Sequence, residues 1–147
     1  MSLKKRLMDD LKTSMKKKDK VRKNVITMVR SAIKQKEVDE RIELTDEEVI
    51  EVVSKQVKEK KNALEDFKKG QRDDLIELTE TEIEILLEYL PKQLSEEEID
   101  EIVKAAIDEV GANTVSDMGR VMGKVMPQVK GKADGNLVSK IVAQYLK

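Results

Sequence analysis

The chain has 147 residues, of which 40% are charged, 39% apolar and only 2% aromatic, with a formal net charge of −1. It contains no cysteine and no histidine, which excludes disulfides, thiolate nucleophiles, Cys- or His-held metals and the commonest general base. Its apolar residues recur at helical spacing, which argues against disorder, and no run is long and apolar enough to span a membrane or to serve as a signal-peptide core, so a cytoplasmic protein is expected.

Seven helices and no strand are expected. The first runs from about Ser2 to Lys17 on a stripe of Leu3, Leu7, Leu11 and Met15. Lys18-Asp19 breaks it, and Asp19 can cap the second helix, which extends to about Lys36 on Val21, Val25, Met28, Val29, Ala32 and Ile33. Residues 37–44 read as a polar connection. Thr45 with Glu48 forms a capping box. A third helix follows to about Lys69, with Val49, Val53, Val57, Leu64 and Phe67 inward, and Gly70 ends it.

Asp73 opens a fourth helix through Leu75, Leu78, Ile83, Leu86 and Leu87. It must stop near Leu90, because a residue before proline avoids helical angles. Ser95 and Glu98 form a second capping box for a fifth helix on Ile99, Ile102, Val103, Ala106 and Ile107, which Gly111 ends. A sixth helix starts near Ser116, and a seventh runs from about Asp134 to Leu146. The fold class is therefore all-α. The organisation expected is an N-terminal helical bundle, residues 1–92, followed by a compact three-helix C-terminal domain, residues 93–147.

Charge is unevenly placed. Residues 1–36 carry 13 basic and 3 acidic side chains, residues 37–110 carry 10 and 25, and residues 111–147 carry 6 and 2. Basic ends around an acidic middle suit either a polyanion partner or complementary faces for a protein partner.

No catalytic constellation is present. There is no phosphate loop of the GxxxxGK type and no serine-hydrolase elbow. The acidic runs Asp46-Glu47-Glu48 and Glu96-Glu97-Glu98 fall in first helical turns, where they offset the helix dipole, so no metal and no cofactor is expected.

The segment most unlike an ordinary helical protein is residues 116–142. Met118, Met122, Val125, Met126 and Val129 share a face, and Gly119 and Gly123 lie one position further round. Two helical glycines four apart cost roughly 1 kcal/mol each against alanine, which calls for close helix packing or a groove. Gly131 suits the left-handed position past a helix end, and Asp134 can cap the next helix. Lys130 and Lys132 flank that helix start, and Arg120, Lys124 and Lys140 can add positive charge. An ordinary capped turn and a phosphate contact both fit.

Met118-Gly119, Met122-Gly123, Met126, then Gly131-Lys132-Ala133-Asp134 and the closing Leu137, Val138 and Ile141 resemble the GatB/YqeY family. Tyr89-Leu90-Pro91 and Leu94-Ser95 are similar to it as well. This family comprises the tail domain of the B subunit of glutamyl-/aspartyl-tRNA amidotransferase and small stand-alone YqeY proteins, and the chain looks like a stand-alone member. Gly135 stands where many amidotransferase members carry proline after the motif aspartate, as in the stand-alone branch.

The resemblance implies a tRNA-associated accessory without catalytic residues of its own. The label of a carbon–nitrogen ligase with glutamine as amido donor would attach only through the shared domain, because the family's amide transfer belongs to other domains and another subunit. The RNA-contact candidates are Arg120, Lys124, Lys130, Gly131, Lys132 and Lys140. A secondary basic patch comprises Lys12, Lys16, Lys17, Lys18, Lys20 and Lys23. The alternative is a protein-interaction module that docks a partner helix, or an accessory acting only within an amidotransferase complex.

Overall fold

The computed structural model describes residues 2–146. Among them are seven α-helices and no strand: α1 Leu3–Lys16, α2 Lys20–Glu40, α3 Asp46–Lys69, α4 Asp73–Leu87, α5 Glu96–Val110, α6 Met118–Val129 and α7 Gly135–Tyr145. A single 3₁₀ turn, Val115–Asp117, leads into α6. The chain divides into two compact units, Met1–Leu90 and Pro91–Lys147. The first holds α1–α4 and the second α5–α7.

Helix starts follow the local chemistry. Ser2 accepts from the Lys5 N–H, Asp19 from that of Arg22, and Asp134 from that of Asn136. Thr45–Glu48 and Ser95–Glu98 close reciprocal capping boxes. Each cap satisfies N–H groups that the helix itself leaves open, worth about 1 kcal/mol.

In the first unit α2 packs against α1, α3 and α4. Three neighbours widen its buried face, so Ile26 is fully buried beside the expected Val25 and Val29, whereas Met28 is 51% exposed. Ile85 is buried in α4, which packs against both α2 and α3, while Leu78 faces solvent. Leu7, Val49, Val53 and Leu86 complete the centre of this core.

Helix α2 runs four residues past Lys36, into the stretch expected to be a connection. Glu37 explains the extension. Its carboxylate accepts from Lys4 Nζ at 2.6 Å and from the Leu44 N–H at 2.9 Å, tying the end of α2 to α1 and to the following loop. Arg41, left-handed at φ 54°, then closes the helix. The left-handed residue after α3 is likewise not Gly70, at φ −83°, but Gln71, at φ 55°.

The end of α4 is fixed by a polar network. The Tyr89 ring lies under the Arg6 guanidinium, 4.7 Å from its centroid, and the Tyr89 hydroxyl donates to Asp10. Arg6 also donates to the Glu88 carbonyl at 2.9 Å, and Arg22 pairs with the Glu88 carboxylate at 2.9 Å. Burial, then the bond to Asp10, pushes the Tyr89 hydroxyl well above the usual tyrosine range.

In the second unit the three helices pack mutually. Ile99 and Val103 of α5, Val121, Val125 and Val129 of α6, and Val138 and Val142 of α7 are fully buried. Gly111 takes the left-handed conformation, φ 66°, that turns the chain out of α5, a region side-chain-bearing residues enter at a cost of roughly 1–2 kcal/mol.

Candidate nucleic-acid interface

The buried face of the Met-Gly helix is shifted by about one position from the one its spacing suggests. The centre of the buried stripe of α6 is Val121, Val125 and Val129, while Met118, Met122 and Met126 are partly buried along its edge. Gly119 and Gly123 face solvent, and a methyl group placed on either meets no described atom within 4 Å. Close packing around these glycines is therefore not realised among the described residues. Pro127, one helical turn beyond Gly123, is also exposed. Having no N–H, it leaves the Gly123 carbonyl without its helical donor.

The two cations of this helix are engaged inside the unit. Arg120 donates to the Val110 carbonyl at 2.6 Å and reaches Asp117 at 3.4 Å. Lys124 pairs with Glu109 at 2.8 Å. Both lie against the C-terminal end of α5, where unsatisfied carbonyls and the negative end of the helix dipole attract positive charge. Asp117 in turn accepts from the N–H groups of Asn113 and Thr114, which together with Arg120 hold its carboxyl below the usual range.

The Lys-Gly-Lys loop forms as expected. Lys130 caps α6, Gly131 is left-handed at φ 75°, and Asp134 caps α7. The loop is also pinned from a distance. Gln93 Nε2 donates to the Gly131 carbonyl at 2.8 Å and the Leu94 N–H to the Lys132 carbonyl at 2.8 Å. Ala133 packs on the unit's core, and Met126 lies against the start of α7, where a methyl on Gly135 would sit 3.8 Å from Met126 Cε. Lys132 and Lys140 are exposed, and neither makes an ion pair with a described residue.

The basic patch of the first unit is arranged differently. Lys12, Lys16, Lys17, Lys18, Lys20 and Lys23 are all exposed, and none is ion-paired with a described residue. They occupy the end of α1, the turn and the start of α2. Lys18 is left-handed at φ 57°, which reverses the chain, and Asp19 is held by its cap to Arg22. Lys18, Lys20 and Lys23 line one shallow depression of about 260 Å³ with Ser14, Met15 and Asp19, the last turned to Arg22.

Gln93, Asp117 and Glu109 also shape this region. Their partners lie 38 residues away for Gln93, 15 for Glu109, and in backbone N–H groups for Asp117. All the Asp117 contacts are local, with Asn113 and Thr114 four and three residues before it in capping-box spacing and Arg120 three residues after it.

These features can be set beside known proteins. The model of the family described as "Yqey-like protein" matches residues 4–146, nearly the whole chain. The chain belongs to this family. Among curated relatives, "Altered inheritance of mitochondria protein 41, mitochondrial" of Pyrenophora tritici-repentis is 32% identical over 144 residues, covering 96% of this chain and 79% of the relative. The protein of the same name from Kluyveromyces lactis is 35% identical, over 81% of this chain and 66% of the relative. That of Saccharomyces cerevisiae is 30% identical, over 95% and 80%.

These relatives correct the expected location. They are named as mitochondrial proteins, so family membership does not support a cytoplasmic assignment. No helix among the described residues is long and apolar enough to cross a membrane.

Proposed function

We propose that this family member is an accessory protein that holds tRNA by its phosphate backbone and carries out no reaction with residues of its own. The observation that carries the reading is the lysine turn between α1 and α2. Six exposed lysines lie within residues 12–23, and no described carboxylate pairs with any of them. Unpaired ammonium groups gathered on one exposed turn release counterions when they meet phosphates, and this supplies affinity without base reading.

The resemblance to the amidotransferase tail domain supports tRNA as the polyanion. Lys132 and Lys140 of the second unit offer a smaller contact, because Arg120 and Lys124 are already engaged beside α5. The scarcity of aromatic residues leaves little stacking, so recognition rests on shape and charge.

Fluorescence anisotropy with bulk tRNA tests this. Reversing Lys17, Lys18, Lys20 and Lys23 to Glu is expected to weaken binding about tenfold or more at physiological salt and to flatten its salt dependence. Unchanged affinity in that variant, or no binding by the parent protein even at low salt, would discard the proposal.

A further inference from the structure

We infer that the outer groove between α1 and α2 is a docking site for a short acidic amphipathic helix of a partner protein. This goes beyond the tRNA reading and uses different residues from the lysine turn. The groove holds about 450 Å³. Its accessible apolar lining is Met8, with Leu11 partly buried beside it, over a floor of the buried Leu7 and Ile33, and its cations are Lys4, Arg30 and Lys34.

Charge decides the sign of the occupant. The one acid in the groove, Glu37, is held by Lys4 and by the Leu44 N–H. Those two donors keep its carboxyl below the usual range. Arg30 and Lys34 pair with no described acid, so the wall of α2 presents two uncompensated cations to whatever lies in the groove. An occupant with carboxylates along one edge matches them.

The lining decides the class. Phosphates gain nothing from Met8 and Leu11, and no aromatic ring is present on which a base could stack. Met8 is 42% exposed, and a flexible thioether at a groove adapts to apolar side chains of a partner. Met8 and Leu11 stand three residues apart, so the apolar steps along α1 recur at the spacing with which a helix presents its own. From Lys4 to Leu11 the groove spans roughly 10 Å, enough for two turns of helix. Two antiparallel helices with such a seam accept a third as in a small bundle.

The test uses the full chain, labelled with ¹⁵N, and a synthetic helical peptide with leucines spaced three and four residues apart and glutamates on the flanking positions. Amide shifts confined to residues 4–11 and 27–37 are expected, lost in R30E/K34E and in M8E, and retained when Lys17, Lys18, Lys20 and Lys23 are reversed. All three altered positions of the first two variants reach solvent, so these variants are expected to keep the fold, checked by their circular dichroism. The inference is overturned if the peptide shows no response at about 1 mM. It is equally overturned if a scrambled peptide of the same composition gives the same shifts, or if bulk tRNA moves these amides as strongly as those of the lysine turn. Loss of tRNA binding in the lysine reversal bears only on the proposed function, whereas loss of peptide binding in R30E/K34E bears only on this groove.

Discussion

The two basic regions carry the same kind of residue to different ends. At the turn between α1 and α2 the lysines lie at a reversal of the chain, and none forms an ion pair with a described acid. In α6, Arg120 and Lys124 lie beside the end of α5, and the Val110 carbonyl and Glu109 take them up. A cation next to a helix C-terminus satisfies carbonyls and the dipole, and one at an open turn remains available to an external anion. Both regions include a helix end, Lys16 and Lys17 standing at that of α1, so what separates them is whether a carbonyl or carboxylate of the chain already takes the cation up.

Four experiments break or sharpen this contrast. The largest effects are in the cores that hold each region in place. Leu86→Ala in the first unit and Ile99→Ala in the second remove fully buried side chains. Each is expected to cost about 2–5 kcal/mol, measured by denaturant unfolding with hydrogen exchange followed in each unit. A loss well below this range would mean that the core relaxes around the vacancy.

Next comes Gly131→Ala. The left-handed φ of 75° makes alanine strained there, with an expected loss of roughly 1–2 kcal/mol in the second unit. The same change at Gly123, exposed and in a helix, is expected to stabilise by up to about 1 kcal/mol. Equal responses at the two glycines would contradict the geometry described.

Arg120→Ala should cost about 1 kcal/mol by uncapping the Val110 carbonyl, and Lys124→Ala less, as befits an exposed pair. Neither is expected to change tRNA affinity by more than about twofold, since one cation of many would be lost even if it reached the RNA. A large loss of affinity in Lys124→Ala with stability intact would shift the contact surface to α6.

The smallest effect is on pH dependence. Asp117, Glu98 and Asp100 in the second unit have carboxyls held below the usual range by backbone N–H groups at the first two and by Tyr145 and Lys104 at the third. A depressed folded-state value means that their stabilisation is complete above the ordinary carboxylate range and disappears as pH falls through the depressed values. Tyr89 in the first unit behaves in the opposite sense. Its raised hydroxyl contributes below the ordinary tyrosine range, and that contribution is lost as pH rises beyond it. Thermal melts across acid and alkaline pH should therefore show the acid sensitivity reduced by Asp117→Asn and the alkaline sensitivity reduced by Tyr89→Phe.

Much of the helical scaffold was legible in the chain because its signals are local. The capping boxes at Thr45–Glu48 and Ser95–Glu98, the Asp19 and Asp134 caps and the left-handed Gly111 and Gly131 each depend on residues a few positions apart. The helix faces were less legible. Periodicity places Met118, Met122, Val125, Met126 and Val129 on one stripe, and packing between α5 and α7 adds Val121 and moves the three methionines to its edge. The end of α2 was misplaced because Glu37 is secured by Lys4 and by the Leu44 N–H, the first of them 33 residues away.

The sequence by itself determined the all-α class, most helix starts, the family and the uneven charge, since these follow from spacing, composition and motif. Tertiary structure alone decided which cations remain available and which glycines are exposed. Both depend on which helix ends and side chains come within a few ångströms of one another, and contacts between residues distant in the chain leave no periodic trace in it.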